Sequence, residues 1–398
     1  MANSILTPTA VTREAARILH QKLNFVGSIN RQYDSSFAQS GAKIGDSLKI
    51  RMPNQYTVRT GATLSTQDVT ESSETLQVAT QKGVDVTFTT AELTMSLDDF
   101  SSRIIEPAMS VLAANIEADA YSMYKDVYNM VDGDAAAIAF SHLMNGRKVL
   151  NDNLTPIDSY RSAMLGTTHA YKLVDALKGL FQDSSAITKQ YKEGKMGRTG
   201  GFDFYESTFA SDHTTGTSAK ATGYTVNGAG QIGSTVTVQV GANTFKKGDV
   251  ITFAGCYQVH PETKAAYSNL QQFVVTANYA GGAGNISISP AIVTSGAKQN
   301  VSASPTNGGA VVKVGAGASE TLNTSMVYHK DAFVFATADL EDVSQYGAWG
   351  AREVFDGISI RIARQYAISS DTVPCRIDVL YGYKTIRPQL ACRIHADG

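Results

Sequence analysis

Charge is what this sequence has least of. Asp, Glu, Lys and Arg make up 18% of its 398 residues, below the roughly 25% of an average soluble domain. The formal net charge is -2, so the basic footprint of a dedicated nucleic-acid binder is missing, and a surface this poor in charge suits coverage by protein partners. Cysteine is scarcer still: Cys256, Cys375 and Cys392 are the only three. Odd in number and widely spaced, they argue against a disulfide framework, zinc ribbons and zinc fingers, and point to folding in a reducing cytoplasm. No run of about 18 apolar residues occurs, so no membrane span is expected. The opening MANSILTPTAVTREAARIL has no basic region followed by a long apolar core, so no secretory signal is expected. Catalytic signatures are missing too: there is no H-E-x-x-H, no G-x-S-x-G and no phosphate-binding loop. The seven histidines (His20, His142, His169, His213, His260, His329 and His395) are scattered. Neither an enzyme nor a bound cofactor or metal is expected.

What the chain does have is patterned apolar sequence, 43% of it hydrophobic, enough for the cores of two or three domains. TPTAVTREAARILHQKL predicts an N-terminal helix with Thr7 as N-cap and Pro8 in the first turn. Val11, Ala15, Ile18 and Leu19 share one face of it. From Ser47 to Thr90 the period changes to two. Leu48, Ile50 and Met52 alternate with Lys49 and Arg51, and Leu76, Val78, Val84, Val86 and Phe88 follow the same rule. Between these runs TVRTGATLSTQDVTESSE is polar, which predicts a long two-stranded arm with no core of its own at the tip. Such an arm is marginal alone and needs a surface to lie on.

SLDDFSSRIIEPAMSVLAANIEADAYSMYKDVY predicts the longest helix. Ser96 and Asp99 would cap its start, and Phe100, Ile104, Ala108, Val111, Leu112, Ile116, Ala120, Met123 and Val127 would form one stripe. If continuous it would run about 45 Å at 1.5 Å per residue, with Pro107 kinking it or starting a second segment. Residues 133–210 read as mixed α/β: an alanine-rich helix around AAAIAFSHLMNGRKVL, a strand at YRSAMLG, and a helix at THAYKLVDALKGLF. The composition then shifts. Lys220 is the only charged residue across 214–245, and 265–297 has none. TVTVQV, DVITFAG, QFVVTA, NISIS and VVKV alternate between glycine-rich turns, which predicts a small inserted barrel or sandwich. Strands return in GISIRIARQY, VPCRIDVLYGYKTIRP and LACRIHA. These predict an antiparallel sheet beneath the long helix, with Pro388 breaking it between strands.

Five stretches invite a chemical reading. Cys256, His260 and Glu262 lie within seven positions of one another, yet a strand bending at AGC and then turning at His260-Pro261 would separate them rather than gather ligands. GAGQIG (Gly228–Gly233) spells the dinucleotide fingerprint but runs into STVTVQV, where that fingerprint needs a helix. Asp132–Asp134 and Leu97–Asp99 lack the calcium-loop pattern, and the second suits a helix start. On the arm, Arg51 and Arg59 oppose Asp68, Glu71 and Glu74, either as a solvated surface or as inter-subunit ion pairs that fix register.

The order of segments resembles the major capsid (coat) protein of tailed bacteriophages with the Hong Kong 97-like fold. Its details are similar to the short-tailed enteric-phage branch, whose coat proteins carry an inserted β-barrel. LAANIEADAYSMY (112–124), KKGDVITFAGCYQV (246–259) and PCRIDVLYGYKTIRPQLACRI (374–394) carry the resemblance, which spans essentially the whole chain. It implies an α+β chain with an N-terminal arm at 1–40 and an extended β-loop at 41–90. A peripheral domain with the spine helix would take 91–130 and 351–398, an axial domain 131–220 and 323–350, and the inserted barrel 221–322. It further implies self-assembly as hexamers and pentamers into an icosahedral head around double-stranded DNA, held by weak non-specific contact. With no long, charged, cleavable segment ahead of the arm, a separate scaffolding protein would guide assembly in the host cytoplasm, with a portal protein as a further partner. The candidate inter-subunit residues are Val11, Ile18, Leu19, Leu48, Ile50, Arg51, Met52, Arg59, Glu71, Glu74, Leu76 and Val78. Two rival readings are a bacterial cargo-enclosing nanocompartment shell and a β-rich adhesin or tail component. The latter would bind glycans through Tyr224, Tyr257, Tyr267 and Tyr279.

Overall fold

The N-terminal apolar stripe folds as the spacing requires, into α1 (Pro8–Lys22), followed by the single turn α2 (Phe25–Ser28). The computed structural model describes residues 8–32, 45, 47–64, 66–68, 71–88, 104–177, 197–210, 212–341, 343, 349–355, 358–367 and 373–397. Next in order come β1 (Ser47–Arg51), β2 (Ser73–Gln77), β3 (Thr80–Phe88) and α3 (Glu106–Tyr121). A 3-10 turn over Ser122–Asp126 leads to β4 (Met130–Ala137), α4 (Phe140–Asp152), β5 (Arg161–Gly166) and α5 (Thr167–Leu177). β6 (Arg198–Thr199), β7 (Phe202–Ser207) and β8 (His213–Thr214) precede the insertion. The insertion holds β9 (Ala221–Val226), β10 (Gly233–Gln239), β11 (Val250–Val259), β12 (Ala266–Val275), β13 (Gly284–Ile292) and β14 (Ala310–Lys313). After it run β15 (Thr321–Leu322), β16 (Ser325–His329), β17 (Phe333–Ala338) and β18 (Trp349–Phe355). β19 (Ile358–Arg364), β20 (Val373–Thr385) and β21 (Ala391–Asp397) complete the order.

Two compact units result. One comprises Met1–Ile50, Ser73–Tyr121 and Phe333–Ile386; the other comprises Arg51–Ser72, Ser122–Ala332 and Arg387–Gly398. In the first, β20 is the axis of a five-stranded sheet. β3 runs along one edge of it, while β19 and β17 share the other, and β18 pairs with β19. Ile358, Ile360 and Ile362 are buried, as their alternation requires, and α1 packs Val11, Ala15, Ile18 and Leu19 against α3, β18 and β19. One buried carboxyl group stands out there. The Glu117 carboxylate of α3 accepts the backbone N–H groups of Phe25 (3.1 Å) and Val26 (3.2 Å). Burial outweighs those bonds and pushes its pKa up to about 7.

In the second unit a six-stranded sheet runs in the order β4-β21-β16-β5-β7-β6, parallel at β4/β21 and at β5/β7. α4 and α5 cover it, burying Leu143, Leu150, Leu173, Phe202, Val327 and Ile394. At Gly146 of α4 a Cβ would meet Val327 Cγ2 at 2.8 Å, so glycine is what lets helix and sheet approach. The insertion is a closed barrel, β10-β13-β12-β11-β14-β9. Closure removes the free edges that its short strands would otherwise expose. Val236, Val238, Ile251, Phe253, Phe273, Ile286, Ile288 and Val311 fill its interior. β8 and β15 pair through Thr214↔Thr321 and His213↔Leu322, a two-stranded neck where the chain enters and leaves the barrel.

The structure corrects several expectations. α3 is 16 residues long, or about 24 Å at 1.5 Å per residue, with Pro107 in its first turn. It gives way at Ser122 to a 3-10 turn that buries Met123 and Tyr124. Val111 of the expected stripe is exposed, and the capping at Ser96 and Asp99 lies outside the described residues, as do Thr7 and Phe100. Ala135–Ala137 belong to β4, whose parallel pairing with β21 shifts register after Asp132 and resumes at Ala137, overriding alanine's helix preference. β11 does not end at the AGC bend. Its partners jump from Thr252↔Gln272 to Tyr257↔Leu270, a bulge that keeps one strand running to Val259. β21 does not continue the sheet of β20. After the break at Pro388 it pairs with β16 and β4, a long-range choice that local alternation cannot signal.

Candidate assembly interface

The arm is built from a rooted base and a bare tip. At the base β1 pairs with β2, where Ile50, Leu76 and Val78 are buried, Leu48 is half-buried and Lys49 is exposed. Its root is seated on β20: the Val78 carbonyl accepts the Gly45 N–H at 2.8 Å, and a Cβ on Gly382 would stand 2.2 Å from the Gln77 carbonyl oxygen. Glu74, half-buried, lies 3.6 Å from the Lys384 ammonium.

Among the described residues the tip has no strand pairing. Met52, half-buried, donates its N–H to Ser72 O at 2.8 Å, and beyond it the Gln67 side chain bridges both backbone groups of Thr57, at 2.8 and 2.6 Å. The Arg59 guanidinium turns back onto the Gly61 carbonyl. Three large apolar side chains stand in solvent there: Tyr56 at 59%, Val58 at 95% and Leu64 at 79% exposure. Arg51 and Glu71 are exposed and 3.7 Å apart, and a pair so exposed contributes little to stability.

The structure therefore divides the candidate contact residues. Val11, Ile18, Leu19, Ile50, Leu76 and Val78 are buried inside this chain's own fold, while Arg51, Arg59 and Glu71 are exposed and Leu48, Met52 and Glu74 half-buried. Tyr56, Val58 and Leu64 were missed, because single apolar residues in a polar run carry no period.

The chemical candidates resolve into structural parts. Cys256 is buried in the barrel core, and burial pushes its thiol up to about 12. His260 and Glu262 sit in the following turn, where the His260 Nδ1 accepts the N–H groups of Glu262 and Thr263, both at 3.1 Å. GAGQIG forms the turn between β9 and β10. Asp132 lies on β4 and accepts the Gly315 N–H at 3.2 Å. His142 accepts the Ala139 N–H at 3.0 Å at the start of α4, and His169 bridges Ser325 Oγ (2.6 Å) and Ala396 O (3.0 Å). Among the described residues no three of His, Cys, Asp and Glu converge on one point, and no helix is long and apolar enough to cross a membrane. Of the four tyrosines, Tyr224 is buried and donates to Asn243 O, Tyr279 donates to Gly282 O and Tyr267 to Asp152 O, which leaves Tyr257 exposed.

A buried polar network at the barrel's neck went unread in the sequence. His213 Nε2 lies 2.9 Å from Asp249 Oδ1, and Tyr124 Oη lies 3.3 Å from His213 Nδ1. Asp249 Oδ2 accepts the N–H groups of Gly216 (3.0 Å) and Lys246 (2.9 Å), and Arg393 donates to Gly248 O at 2.8 Å. Buried Lys313 donates to Thr215 Oγ1 at 3.1 Å and faces Glu320 at 3.8 Å. The only signal was that Lys313 and Arg393 interrupt the apolar alternation of VVKV and LACRIHA.

Comparison with known proteins gives the chain's relatives. The family model described as P22 coat protein, gene protein 5, matches residues 21–393. No curated protein matches the chain. Among solved structures it is similar to one from Mycobacterium phage Che8, at 11% identity over 94% of this chain and 90% of that one (TM-score 0.49). It is similar to the capsid of cyanophage P-SCSP1u at 11% identity over 91% and 86% (TM-score 0.40). The CUS-3 coat protein I-domain is 25% identical, covering 23% of this chain and 95% of that one (TM-score 0.19).

Proposed function

The chain belongs to the P22 coat protein family, and on that premise we propose that it assembles, as hexamers and pentamers, into the icosahedral head that encloses a tailed phage's double-stranded DNA. It is a phage capsid protein with a Hong Kong 97-like α+β fold and an inserted barrel, a structural component rather than an enzyme. The observation that carries the finer reading is the arm, whose base is buried against β20 while its tip holds Tyr56, Val58 and Leu64 in water. A tip with that much apolar surface, and with no strand partner among the described residues, is stabilised by a neighbouring copy laid against it. Arg51, Arg59 and Glu71 rim that contact and set its register, while Leu48, Met52 and Glu74 flank its base. The buried residues Val11, Ile18, Leu19, Ile50, Leu76 and Val78 hold the arm and the N-terminal helix to their own chain, and reach a neighbour only if those elements lift when the shell expands.

A separate scaffolding protein guides closure in the host cytoplasm, and a portal protein occupies one vertex. Contact with packaged DNA is weak and salt-dependent, in keeping with the formal net charge of -2. The test is excision. Replacing residues 56–68 by a short Gly-Ser turn leaves β1 and β2 intact, so the far-ultraviolet circular dichroism is expected to persist while closed shells disappear from sucrose gradients and micrographs. Shells of normal size from this variant would refute the arm's role.

A further inference from the structure

Asn-Gly occurs in the chain at Asn145, Asn227 and Asn307. It is a dipeptide open to self-modification. The backbone nitrogen of the second residue can attack the side-chain carbonyl carbon of the first, and glycine has no Cβ to obstruct the approach. Inside a fold, the outcome depends on how each glycine nitrogen is held.

The three pairs are held differently. Gly146 is buried inside α4, and Asn145 precedes it in the same helix. Gly308 donates its N–H to the Val226 carbonyl at 2.8 Å, backbone to backbone. Gly228 opens the GAGQIG turn between β9 and β10, and its N–H donates at 2.8 Å to Oδ1 of Asn307, an exposed side chain. Asn227 is exposed as well, and its carbonyl accepts Gln231 Nε2 at 2.7 Å. Both of these bonds to the Asn227-Gly228 peptide come from side chains, which can rotate away without breaking a strand or a helix. Asn307 is held more firmly: its own Oδ1 is engaged by Gly228, and the nitrogen that would attack it is engaged by Val226.

We propose that Asn227-Gly228 is a site of spontaneous deamidation, kept closed by the side chain of Asn307. When that side chain turns away, the Gly228 nitrogen bonds to Asn227 Cγ and gives up its proton to solvent. The Cγ–Nδ2 bond breaks, and the departing nitrogen takes a proton from solvent and leaves as ammonia. The resulting five-membered imide then adds one water molecule and opens to aspartate or isoaspartate. Either product puts a carboxylate where Lys220 is the only charged residue across 214–245, and adds one negative charge to a chain whose formal net charge is -2. Isoaspartate also lengthens the backbone next to the β9/β10 pairing at Val226↔Val238. The reaction belongs to the barrel itself and holds whether or not the chain forms shells.

The test is peptide mapping by mass spectrometry on the full chain, wild type and Asn307→Ala, sampled over time in a mildly alkaline buffer. In the wild type Asn227 is expected to convert first, as a mixture of aspartate and isoaspartate, with Asn307 slower and Asn145 unchanged. In Asn307→Ala, which removes an exposed side chain, conversion at Asn227 is expected to be several-fold faster while Asn145 stays unchanged. Asn307 or Asn145 converting ahead of Asn227 in the wild type would overturn the proposal, as would an equal rate at Asn227 in the two proteins. Asn145 converting as fast as Asn227 in the variant would show that unfolding, not the Asn307 side chain, governs the reaction, and would overturn it too.

Discussion

Gly382→Ala is the sharpest perturbation of the arm's root. The added Cβ would stand 2.2 Å from Gln77 O, 2.8 Å from Gln77 C and 3.0 Å from Val78 Cα. All three neighbours are backbone, so no rotamer change relieves the clash. Restoring an ordinary carbon–oxygen contact of about 3.3 Å requires β2 and β20 to separate by about 1 Å. That separation opens the burial of Leu76 and Val78 and stretches the 2.8 Å bond from Gly45 N–H to Val78 O. Overpacking of this kind costs about 1–3 kcal/mol, which lowers the melting temperature of a unit this size by roughly 5 °C. Calorimetry on the unassembled protein reads the first effect, and particle yield on a sucrose gradient reads the second. Yield is expected to fall further than stability alone explains, because the tip follows wherever the root is displaced. Unchanged melting and unchanged yield would show that the root does not pack on β20 as described.

Three further outcomes follow from buried groups. Burial pushes the Cys256, Cys375 and Cys392 thiols up to about 12, 11 and 12. None should react with a disulfide reagent at neutral pH until denaturant is added, and rapid native labelling of Cys256 would revive it as a chemical site. Glu117, with its pKa raised to about 7, keeps its proton in the folded state while the unfolded chain releases it near 4.5. Its contribution is therefore full below about pH 4.5 and is lost as pH rises through about 7, at up to roughly 1.4 kcal/mol per pH unit. Urea midpoints of wild type should fall over that window and those of Glu117→Gln should fall less; parallel curves would contradict the assignment. Asp249→Ala removes both oxygens, the one that accepts the N–H groups of Gly216 and Lys246 and the one that faces His213. It should lower stability by about 3 kcal/mol, seen as early loss of amide-exchange protection across 213–216 and 246–250, whereas wild-type protection there would refute the network's role.

Much of the fold was legible where a period repeats. The 3.6-residue stripe of α1, the alternation of Ile358, Ile360 and Ile362, and the short uncharged strands of the insertion each carry their own signal, because burial on one face imposes it. What the pattern cannot carry is the identity of the covering surface. Leu76 and Val78 had to be hidden, and the chain's own β20 hides them. β21 alternates like its neighbours but pairs in another sheet, and Ala137 is held extended by Asp397, about 260 positions away in sequence. Buried charges are harder still. Glu117, Asp249 and Arg393 look like surface residues until the backbone donors and opposing charges around them are in place.

The most direct test is electron cryo-microscopy of the purified protein, expressed with and without the proposed scaffolding partner. Closed icosahedral shells in which each tip, Tyr56 to Leu64, lies against a neighbouring copy are the expected result. A protein that stays monomeric at high concentration in both preparations, with the tip still in solvent, would contradict the account.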